Sequence, residues 1–523
     1  AQLLDRFVKD IVTESEKFDI EKFIPLLQER VYVINPYCRQ FLIAWIVVLD
    51  SVPDIELLQY LPKFLDGLFN MLKDNTKDIR LEADACLAEF LREIKASTAS
   101  SASTNKRPVD FGSTVKILLT HSVSKDQFTR LTAIEWINEF IIIGKEELLP
   151  FAAALLGSIL PCLSSDVKNI RDASTKANNN LMSLITETAA SFSINEILNT
   201  LMSQLGNQNV PTRLASLNWI LVLHSKVPEQ LVSFIDDLFT VLLKTLSDSS
   251  DEVVRLDLEV MAKISMLNTT FFRKLMDMLV DLFAQNRDLL NSRASLIVRQ
   301  LSLFINPQKI YITLATILET EQDLEFASVM IQTLNFILLT TRELTELRST
   351  LKNLSENNTQ DSGLKPTELF TVLYRSWSHN PVATFSLCLL SQLYEHAAAL
   401  IVKFGDLEIT VNLLVEVDKL VQLLESPIFI YLRLQLLEPE KYPFLYKCLY
   451  GLLMLLPQSN AFETLRNRLN SLSSLGILQL IPKSDNVHKD PSQINFAELL
   501  AHFQQVQKRH REFKKQSQSG EKK

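Results

Sequence analysis

The sequence predicts an all-α repeat protein, an α-solenoid that ends in a C-terminal helical region. Three observations support this fold class. Glycine is scarce, with 10 residues among 523, and few segments show the alternation of apolar and polar residues that strands require. Hydrophobic residues make up 47% of the chain, which is enough for a continuous core. The third observation is an internal repeat with a period of about 40 residues, which is the length of the two-helix units that stack in such proteins.

Regularly spaced arginines mark this repeat. They are Arg39, Arg80, Arg130, Arg171, Arg213, Arg255 and Arg293. Successive gaps are 41, 50, 41, 42, 42 and 38 residues, close to the period of HEAT and armadillo repeats. Trp45, Trp136 and Trp219 each follow their arginine by six residues, although the chain has only four tryptophans. The spacing therefore predicts a HEAT/armadillo-like α-solenoid with these tryptophans in its core.

The clearest repeat unit, Leu61 to Leu91, predicts two helices joined by a turn. Apolar residues recur at helical spacing on both sides of a polar segment. Pro62 fits the first turn of a helix, and Asp74 suits the turn between the two helices. We expect turn aspartates and the arginines of neighbouring repeats to form a ladder of charge-assisted hydrogen bonds. A set of solvated, unpaired arginines is the alternative at this stage.

Composition divides the chain into four stretches. Residues 1–351 are predicted to form the HEAT-repeat solenoid, with a Ser/Thr-rich polar loop at 96–108. Residues 352–366 are predicted to be a disordered insertion. Residues 367–482 are denser in apolar and aromatic residues, and we expect them to serve self-association and partner binding. Residues 483–523 are predicted to comprise a polar break, a final helix and a basic tail.

Charge and cysteine spacing exclude several classes of protein. The net charge of -8 argues against a nucleic-acid partner, because such a partner requires a basic face. The cysteines are never closer than 48 residues, which predicts reduced core thiols in a cytoplasmic protein. These cysteines are Cys38, Cys86, Cys162, Cys388 and Cys448. The longest apolar runs, Phe41 to Leu49 and Leu148 to Leu163, are shorter than the roughly 18 residues of a membrane span.

Catalytic and metal-binding signatures are missing from the sequence. The two nearest glycines, Gly144 and Gly157, are 13 residues apart, which excludes the glycine-rich phosphate loops and the nucleophile elbow. His502 and His510 can share a helical face, but no third ligand lies near them in the sequence. We therefore predict no catalytic residue, no cofactor and no metal site. An enzyme whose site is assembled across repeats remains a further hypothesis.

Two features near the C-terminus suggest binding. An aromatic cluster consists of Tyr431, Tyr442, Phe444, Tyr446 and Tyr450. Tyrosine is enriched at protein interfaces, so the cluster predicts partner binding or self-association, although an ordinary core explains it equally well. The tail from His502 to Lys523 has seven Lys or Arg against two Glu. A solvated helix end is favoured over contact with anionic lipid.

Two segments resemble a known family. They are VYVINPYCRQFLIAWIVVLDSVPDIELLQYLPKFLDGLF, Val31 to Phe69, and NLLVEVDKLVQLLESPIFIYLRLQLLEPEKYPFLYKCLYGLLMLLPQSNAFETLRNRL, Asn412 to Leu469. Both resemble the vacuolar-morphology scaffold of the phosphatidylinositol 3-phosphate 5-kinase complex. The resemblance extends along the chain, except for the spacer at 96–108 and the tail. The C-terminal segment is far more specific than a HEAT pattern.

This resemblance implies a function that the periodicity alone does not. Family members are non-enzymatic HEAT-repeat scaffolds that self-associate through their C-terminal region, and we expect a closed ring. They bring together a FYVE-domain lipid kinase and a Sac-domain phosphoinositide phosphatase on endosomal or vacuolar membranes. They thereby support synthesis and turnover of phosphatidylinositol 3,5-bisphosphate, with membrane contact that is mainly indirect. The alternative is a HEAT-repeat transport receptor or vesicle-coat subunit that binds cargo proteins.

Overall fold

The computed structural model describes residues 20–50, 57–100, 109–189, 192–354, 365–476 and 494–520. These residues form helices and connecting turns, with no β-strand among them. The α-helices are α1 (Ile20–Arg30), α2 (Pro36–Asp50), α3 (Leu61–Met71), α4 (Lys77–Ser100), α5 (Phe111–Ser122), α6 (Gln127–Gly144), α7 (Ala152–Cys162), α8 (Lys168–Glu187), α9 (Ile194–Leu205), α10 (Val210–Lys226), α11 (Pro228–Leu231), α12 (Ile235–Thr245), α13 (Asp251–Ser265), α14 (Thr269–Gln285), α15 (Arg287–Phe304), α16 (Pro307–Glu319), α17 (Leu324–Thr340), α18 (Thr345–Lys352), α19 (Pro366–Trp377), α20 (Pro381–Leu390), α21 (Tyr394–Lys403), α22 (Val411–Leu424), α23 (Ile430–Gln435), α24 (Pro443–Leu455), α25 (Asn460–Gly476) and α26 (Phe496–Gly520). The predicted all-α fold is confirmed.

The chain forms two compact units, Ala1–Val260 and Met261–Lys523. In the first unit, consecutive helices pair, and the pairs stack in two layers. One layer is the row α1, α3, α5, α7, α9 and α12, and the other is the row α2, α4, α6, α8 and α10. Each helix in a row contacts the next one, so every pair buries apolar faces against both neighbours. This is the α-solenoid arrangement that the repeat period predicts.

Short polar side chains set where the helices begin. The Asp110 side chain accepts a hydrogen bond from the Ser113 backbone N–H at the start of α5, at 3.1 Å. Asp126 does the same for Thr129 at the start of α6, at 2.8 Å. Such caps satisfy backbone donors that have no partner within the helix. Pro62 lies in the first turn of α3, as the sequence predicts.

The repeat arginines close the turn that precedes their own helix. The Nε of Arg39 donates to the Val33 carbonyl oxygen at 2.8 Å, six residues earlier in the chain. Equivalent bonds reach the carbonyl oxygen six residues back from Arg130 (2.9 Å), Arg171 (2.6 Å) and Arg213 (2.7 Å). A guanidinium has several donors in a fixed fork, so it can satisfy turn carbonyls and still bind a carboxylate. The spacing of the arginines does not by itself indicate this role.

The predicted ladder of aspartates and arginines forms at some positions. Arg39 pairs with Asp74, and Arg213 binds both carboxylate oxygens of Asp248, at 2.6 and 2.9 Å. In each pair the aspartate lies 35 residues further along the chain, in the next turn. In the seventh repeat, Arg287 pairs with Asp323 at 2.8 Å, 36 residues further along the chain.

The tryptophan position marks the core, with a difference at the first repeat. Trp136 and Trp219 are 1% and 0% exposed, and Trp219 donates from Nε1 to Asn178 of the preceding repeat at 2.8 Å. Trp45 is only half-buried, and it lines an apolar cavity of about 340 Å³. Of the five cysteines, four are buried as predicted, but Cys38 is exposed. Cys38 lies in the first turn of α2, where the residues from Ile34 to Cys38 are all exposed.

The second unit also contains two layers of stacked helices. One row runs without a break through α15, α17, α20, α22 and α25. In the other layer, α14, α16 and α19 contact one another in succession, and α21 contacts α24. Arg348 and Arg433 close turns here by donating to the Thr341 and Ser426 carbonyl oxygens, at 2.6 and 2.7 Å. The repeats therefore continue where the sequence register fades.

Two predicted loops overlap the ends of helices. The polar loop predicted at 96–108 begins too early, because α4 continues to Ser100; residues 101–108 lie outside the described residues. The insertion predicted at 352–366 has Lys352 at the end of α18 and Pro366 at the start of α19. Its central residues, 355–364, lie outside the described part of the chain.

The predicted polar break that begins at residue 483 also lies outside the described residues, up to residue 493. The final helix is present as α26. Within the described ranges, no single helix is long and apolar enough to cross a membrane. One bent pair, Leu324–Thr340 with Arg342–Lys352, meets the length and composition criteria together, and its two helices meet at 84°.

Candidate partner-binding surface

The five aromatic residues predicted to bind partners divide into inward and outward groups. The Tyr431 hydroxyl donates to the carbonyl oxygens of Leu389 and Leu390, at 3.2 and 3.1 Å, and the Lys352 ammonium lies 4.2 Å from the ring centroid. Burial raises the pKa of Tyr431 well above its ordinary value. These contacts hold α23 against the end of α20. Tyr431 therefore has a structural role in the second unit.

Tyr442 and Phe444 take intermediate positions. Both are half-buried, and the ring of Tyr442 packs edge-on against Tyr394 with centroids 6.1 Å apart. Tyr446 and Tyr450 instead lie one turn apart on α24, with their rings stacked at 6.2 Å. Tyr450 is 45% exposed, so this stacked pair reaches the surface. The five residues do not form a single site.

Exposed aliphatic side chains extend this surface beyond the predicted residues. Met454 follows Tyr450 by one turn on the same face of α24, and it is 69% exposed. We call Tyr446, Tyr450 and Met454 the α24 stripe. Leu434 and Leu437 near the end of α23 are 60% and 65% exposed. A run of apolar residues on more than one face of these helices is the sequence signal that would have indicated them.

A polar groove lies between helices of the second unit. It consists of two adjoining cavities, of about 620 and 740 Å³, which have five wall residues in common. These shared residues are Val329, Gln332, Asn380, Glu416 and Lys419, from α17, α20 and α22. We call these two cavities together the polar groove. No local sequence pattern marks this groove, because its walls come from residues far apart in the chain.

The groove wall carries a largely buried carboxylate. Asn380 donates from Nδ2 to Glu416 at 2.9 Å, and its own side-chain oxygen caps α20 by accepting from the Ala383 N–H. Burial raises the pKa of Glu416, while the Asn380 hydrogen bond and the nearby Lys419 oppose that rise. The groove thus presents amide, carboxylate and ammonium groups together, beside the exposed ring of Phe336.

The final helix α26 packs back onto the second unit, beside this groove. Phe503 stacks on Phe404 with centroids 6.5 Å apart, and Gln507 donates to the Ser378 carbonyl oxygen at 2.7 Å. Nδ1 of His379 lies 3.0 Å from Nε2 of His510. Burial, and the cationic side chains nearby, lower the pKa of His379 to about 3 and that of His510 to about 4.

The histidine pair does not form a metal centre. The imidazole of the buried His379 contacts that of the half-buried His510, and the lining of the second cavity there also includes Arg511 and Lys514. Across the described ranges, no group of three or more His, Cys, Asp or Glu side chains is arranged to hold a metal ion. The arrangement offers surfaces for contact with other proteins.

Two family models match the chain. The model described as "EF3 N-terminal HEAT repeat" matches residues 108–256, within the first unit. The model described as "Vacuolar protein 14 C-terminal Fig4p binding" matches residues 287–472. The second range contains the shared wall of the polar groove, the α24 stripe and all five predicted aromatic residues.

Three curated relatives are similar over most of the chain. The Arabidopsis thaliana "Protein VAC14 homolog" is 46% identical over 98% of this chain and 70% of its own length. The Schizosaccharomyces pombe protein of the same name is 38% identical over 87% of this chain and 63% of its own length. The Saccharomyces cerevisiae "Vacuole morphology and inheritance protein 14" is 28% identical, over 97% and 74%.

Among solved structures, yeast importin-beta is 12% identical over 97% of this chain and 70% of its own. Its TM-score of 0.30 is too low to support an argument about function. The identity of 46% to the Arabidopsis thaliana relative, over 98% of this chain and 70% of that protein, establishes the family. The chain belongs to the Vac14 family.

Proposed function

We propose that this chain is a non-enzymatic scaffold for phosphoinositide metabolism. It self-associates and brings together a FYVE-domain phosphatidylinositol 3-phosphate 5-kinase and a Sac-domain phosphoinositide phosphatase, peripherally on endosomal or vacuolar membranes. Both synthesis and turnover of phosphatidylinositol 3,5-bisphosphate then depend on it. The observation that carries the proposal is the match to the family model described as Fig4p binding, whose range contains the shared wall of the polar groove and the α24 stripe.

We assign the phosphatase to the polar groove. Interfaces with a separate partner protein are about as polar as the rest of a surface, and they contain several hydrogen bonds. The groove fits this description, since Gln332, Glu416 and Lys419 can exchange hydrogen bonds with a partner. Phe336, which is 50% exposed on the wall of the groove, supplies an apolar anchor.

We assign self-association to the α24 stripe. Interfaces between identical subunits are more apolar than interfaces with other partners. Tyr446, Tyr450 and Met454 provide adjacent aromatic and thioether groups on the surface of a helix that is fixed from behind by Leu445 and Leu449. Copies that meet through unlike surfaces form a closed ring or a filament, and we favour the ring.

The two surfaces can be tested separately. Tyr450→Asp with Met454→Asp places two charges in the α24 stripe and should give a folded monomer. Val123→Asp with Met266→Asp is the matched control, because both side chains are exposed, at 72% and 65%, outside the stripe. Light scattering coupled to size exclusion measures the mass of each variant. An unchanged mass for the stripe variant would show that assembly uses another surface.

For the groove, Phe336→Asp with Lys419→Glu should release the phosphatase without changing the mass of the assembly. Phe128→Asp with Lys77→Glu is the control, since both positions are exposed in the first unit. Each variant is copurified with the two partner enzymes, and retained phosphatase and kinase are measured together. Full retention of the phosphatase by the groove variant would contradict the assignment.

A further inference from the structure

The final helix α26 has two different halves. In the first half, Leu499, Phe503, Val506 and Gln507 recur at spacings of one to four residues and are buried against the body of the second unit. From Arg511 to Gln516, by contrast, every residue is exposed. The docked half holds the helix on the protein, and the exposed segment from Arg511 to Gln516 follows it.

Basic side chains are concentrated where the helix becomes exposed. Five of the eight residues from 508 to 515 are Lys or Arg, and one is Glu. Lys508, Arg511 and Lys515 follow one another at spacings of three and four, so they share one side of the helix. At 3.6 residues per turn, this side points away from the buried Leu499 and Val506.

This basic side contrasts with the rest of the chain. The net charge of the whole protein is -8, while the stretch from His502 to Lys523 has seven Lys or Arg against two Glu. Clusters of four to eight Lys or Arg on one helix attract the anionic surface of a membrane, over distances of about a Debye length. Five Lys or Arg on α26 fall within this number, and we call the three that share one side of the helix, Lys508, Arg511 and Lys515, the basic face.

We propose that the basic face binds an anionic lipid membrane directly, and so holds the second unit against it. A lipid surface fits better than a protein partner for two reasons. Protein interfaces are depleted in lysine and depend on apolar or aromatic anchors. The outward side of α26 offers Gln504, Lys508, Arg511 and Lys515, while the exposed aromatic residue of this segment, Phe513, lies on the opposite side of the helix. The proposal does not depend on which partners the scaffold assembles.

The test uses the full chain and vesicles of two compositions. One vesicle is pure phosphatidylcholine, and the other contains about a quarter phosphatidylserine. Cosedimentation of the intact chain should require phosphatidylserine and should be lost at high salt, since the attraction is screened. Lys508→Glu with Arg511→Glu and Lys515→Glu should weaken binding by more than about tenfold.

The matched control reverses three exposed lysines on separate helices, by Lys77→Glu, Lys168→Glu and Lys244→Glu. It changes the net charge equally and should bind the anionic vesicles much as the intact chain does. If the first variant loses docking of α26, measured as hydrogen exchange at residues 499–507, the milder change of the same three residues to Gln replaces it.

Three results would overturn the proposal. The intact chain could bind both vesicles equally or neither of them. Both triple variants could lose binding to the same extent, in which case only net charge matters. The intact chain could ignore vesicles while the basic-face variant releases a copurified protein partner, which would show that the basic face is a protein-docking surface.

Discussion

Trp136 shows how a single residue position builds the repeat core. Its ring contacts Phe69 of the preceding repeat at 5.9 Å and Phe140 of its own helix at 5.8 Å between centroids. It is almost fully buried, as is Trp219 at the same repeat position. Trp45 shares that position but is half-buried, since it lies in the first pair of the described stack. Tryptophans at the same position of different repeats are therefore buried to different extents.

Trp136→Ala should create a cavity between stacked helices and lower the free energy of unfolding by about 3–5 kcal/mol. Repeat arrays are coupled mainly to their neighbours, so protection from hydrogen exchange should fall first across residues 115–180. Trp45→Ala is the control, and it should have a smaller effect. Uniform protection across that range in the Trp136 variant would show that the ring does not support the stack.

Asp257 is a fully buried carboxylic acid in the first unit, and neither of its side-chain oxygens has a hydrogen-bond partner. Burial, with a contribution from the Asp248 carboxylate, raises the pKa of Asp257 well above its ordinary value. The unfolded residue ionises near pH 3.9. The folded state therefore binds the proton more tightly, and stability falls as the pH rises from about 4 towards the folded pKa.

Asp257→Asn should stabilise the protein at neutral pH and flatten this dependence. Within that pH range, the free energy of unfolding of the intact chain should fall by about 1.4 kcal/mol per pH unit, whereas the amide of the Asp257→Asn variant does not titrate. Denaturant unfolding of both proteins from pH 5 to pH 8 measures the difference. Asp166→Asn, at an exposed turn, should leave the curve unchanged. If the free energy of unfolding depended on pH in the same way for the intact chain and the Asp257 variant, Asp257 would not be protonated in the folded state.

At the scale of elements, α26 covers apolar and aromatic residues that would otherwise be exposed. Phe503 lies on Phe404, and Phe496 lies 5.0 Å from His396 between ring centroids. The end of a solenoid usually needs a cap. Here α26 follows the last described helix pair in the chain, but it packs on the earlier helices α19 and α21 and does not cap the end. Deletion of 412–523 would remove this cover, so point changes in the α24 stripe test assembly more cleanly.

The docking of α26 should weaken in acid. His379 and His510 have folded pKa values of about 3 and 4, lowered first by burial and then by His502, Arg509 and Lys514, while the unfolded value is near 6.5. Because the histidines of the undocked helix bind protons at a higher pH, the stability of docking is full above about pH 6.5. It is lost as the pH falls from there towards the folded pKa values of about 4 and 3.

Hydrogen exchange of residues 496–510 at pH 7 and pH 5, corrected for intrinsic rates, measures this loss. His510→Gln cannot be protonated, so its docked helix should depend less on pH than that of the intact chain. Gln504→Ala, on the exposed side of the same helix, is the control. Equal protection of the intact α26 at both pH values would show that the histidine pair does not titrate with docking.

At the scale of the whole molecule, both units are built from the same element, the stacked helix pair. The sequence has no phosphate-binding glycine loop, and the described residues include no candidate metal cluster. We therefore expect the purified chain alone neither to phosphorylate nor to dephosphorylate any phosphoinositide. Turnover that coelutes with the chain through two successive columns, in material free of both partner enzymes, would refute the scaffold proposal.

The sequence by itself determined the helical class, the repeat period and the buried tryptophan position in the later repeats. These properties depend on local spacing, because a helix pair exposes its apolar face at 3.6-residue intervals and has to stack to bury it. The family was also recognisable from Val31 to Phe69 and from Asn412 to Leu469, where the order of residues is specific.

Only the tertiary structure decided which side chains face outward and which distant residues meet. Tyr431 and Tyr450 belong to the same sequence cluster, yet one is held against backbone carbonyls and the other reaches the surface. His379 and His510 are 131 residues apart and still touch. Helical spacing defines the faces of a helix, but the neighbours that cover each face are set by the packing of the complete chain.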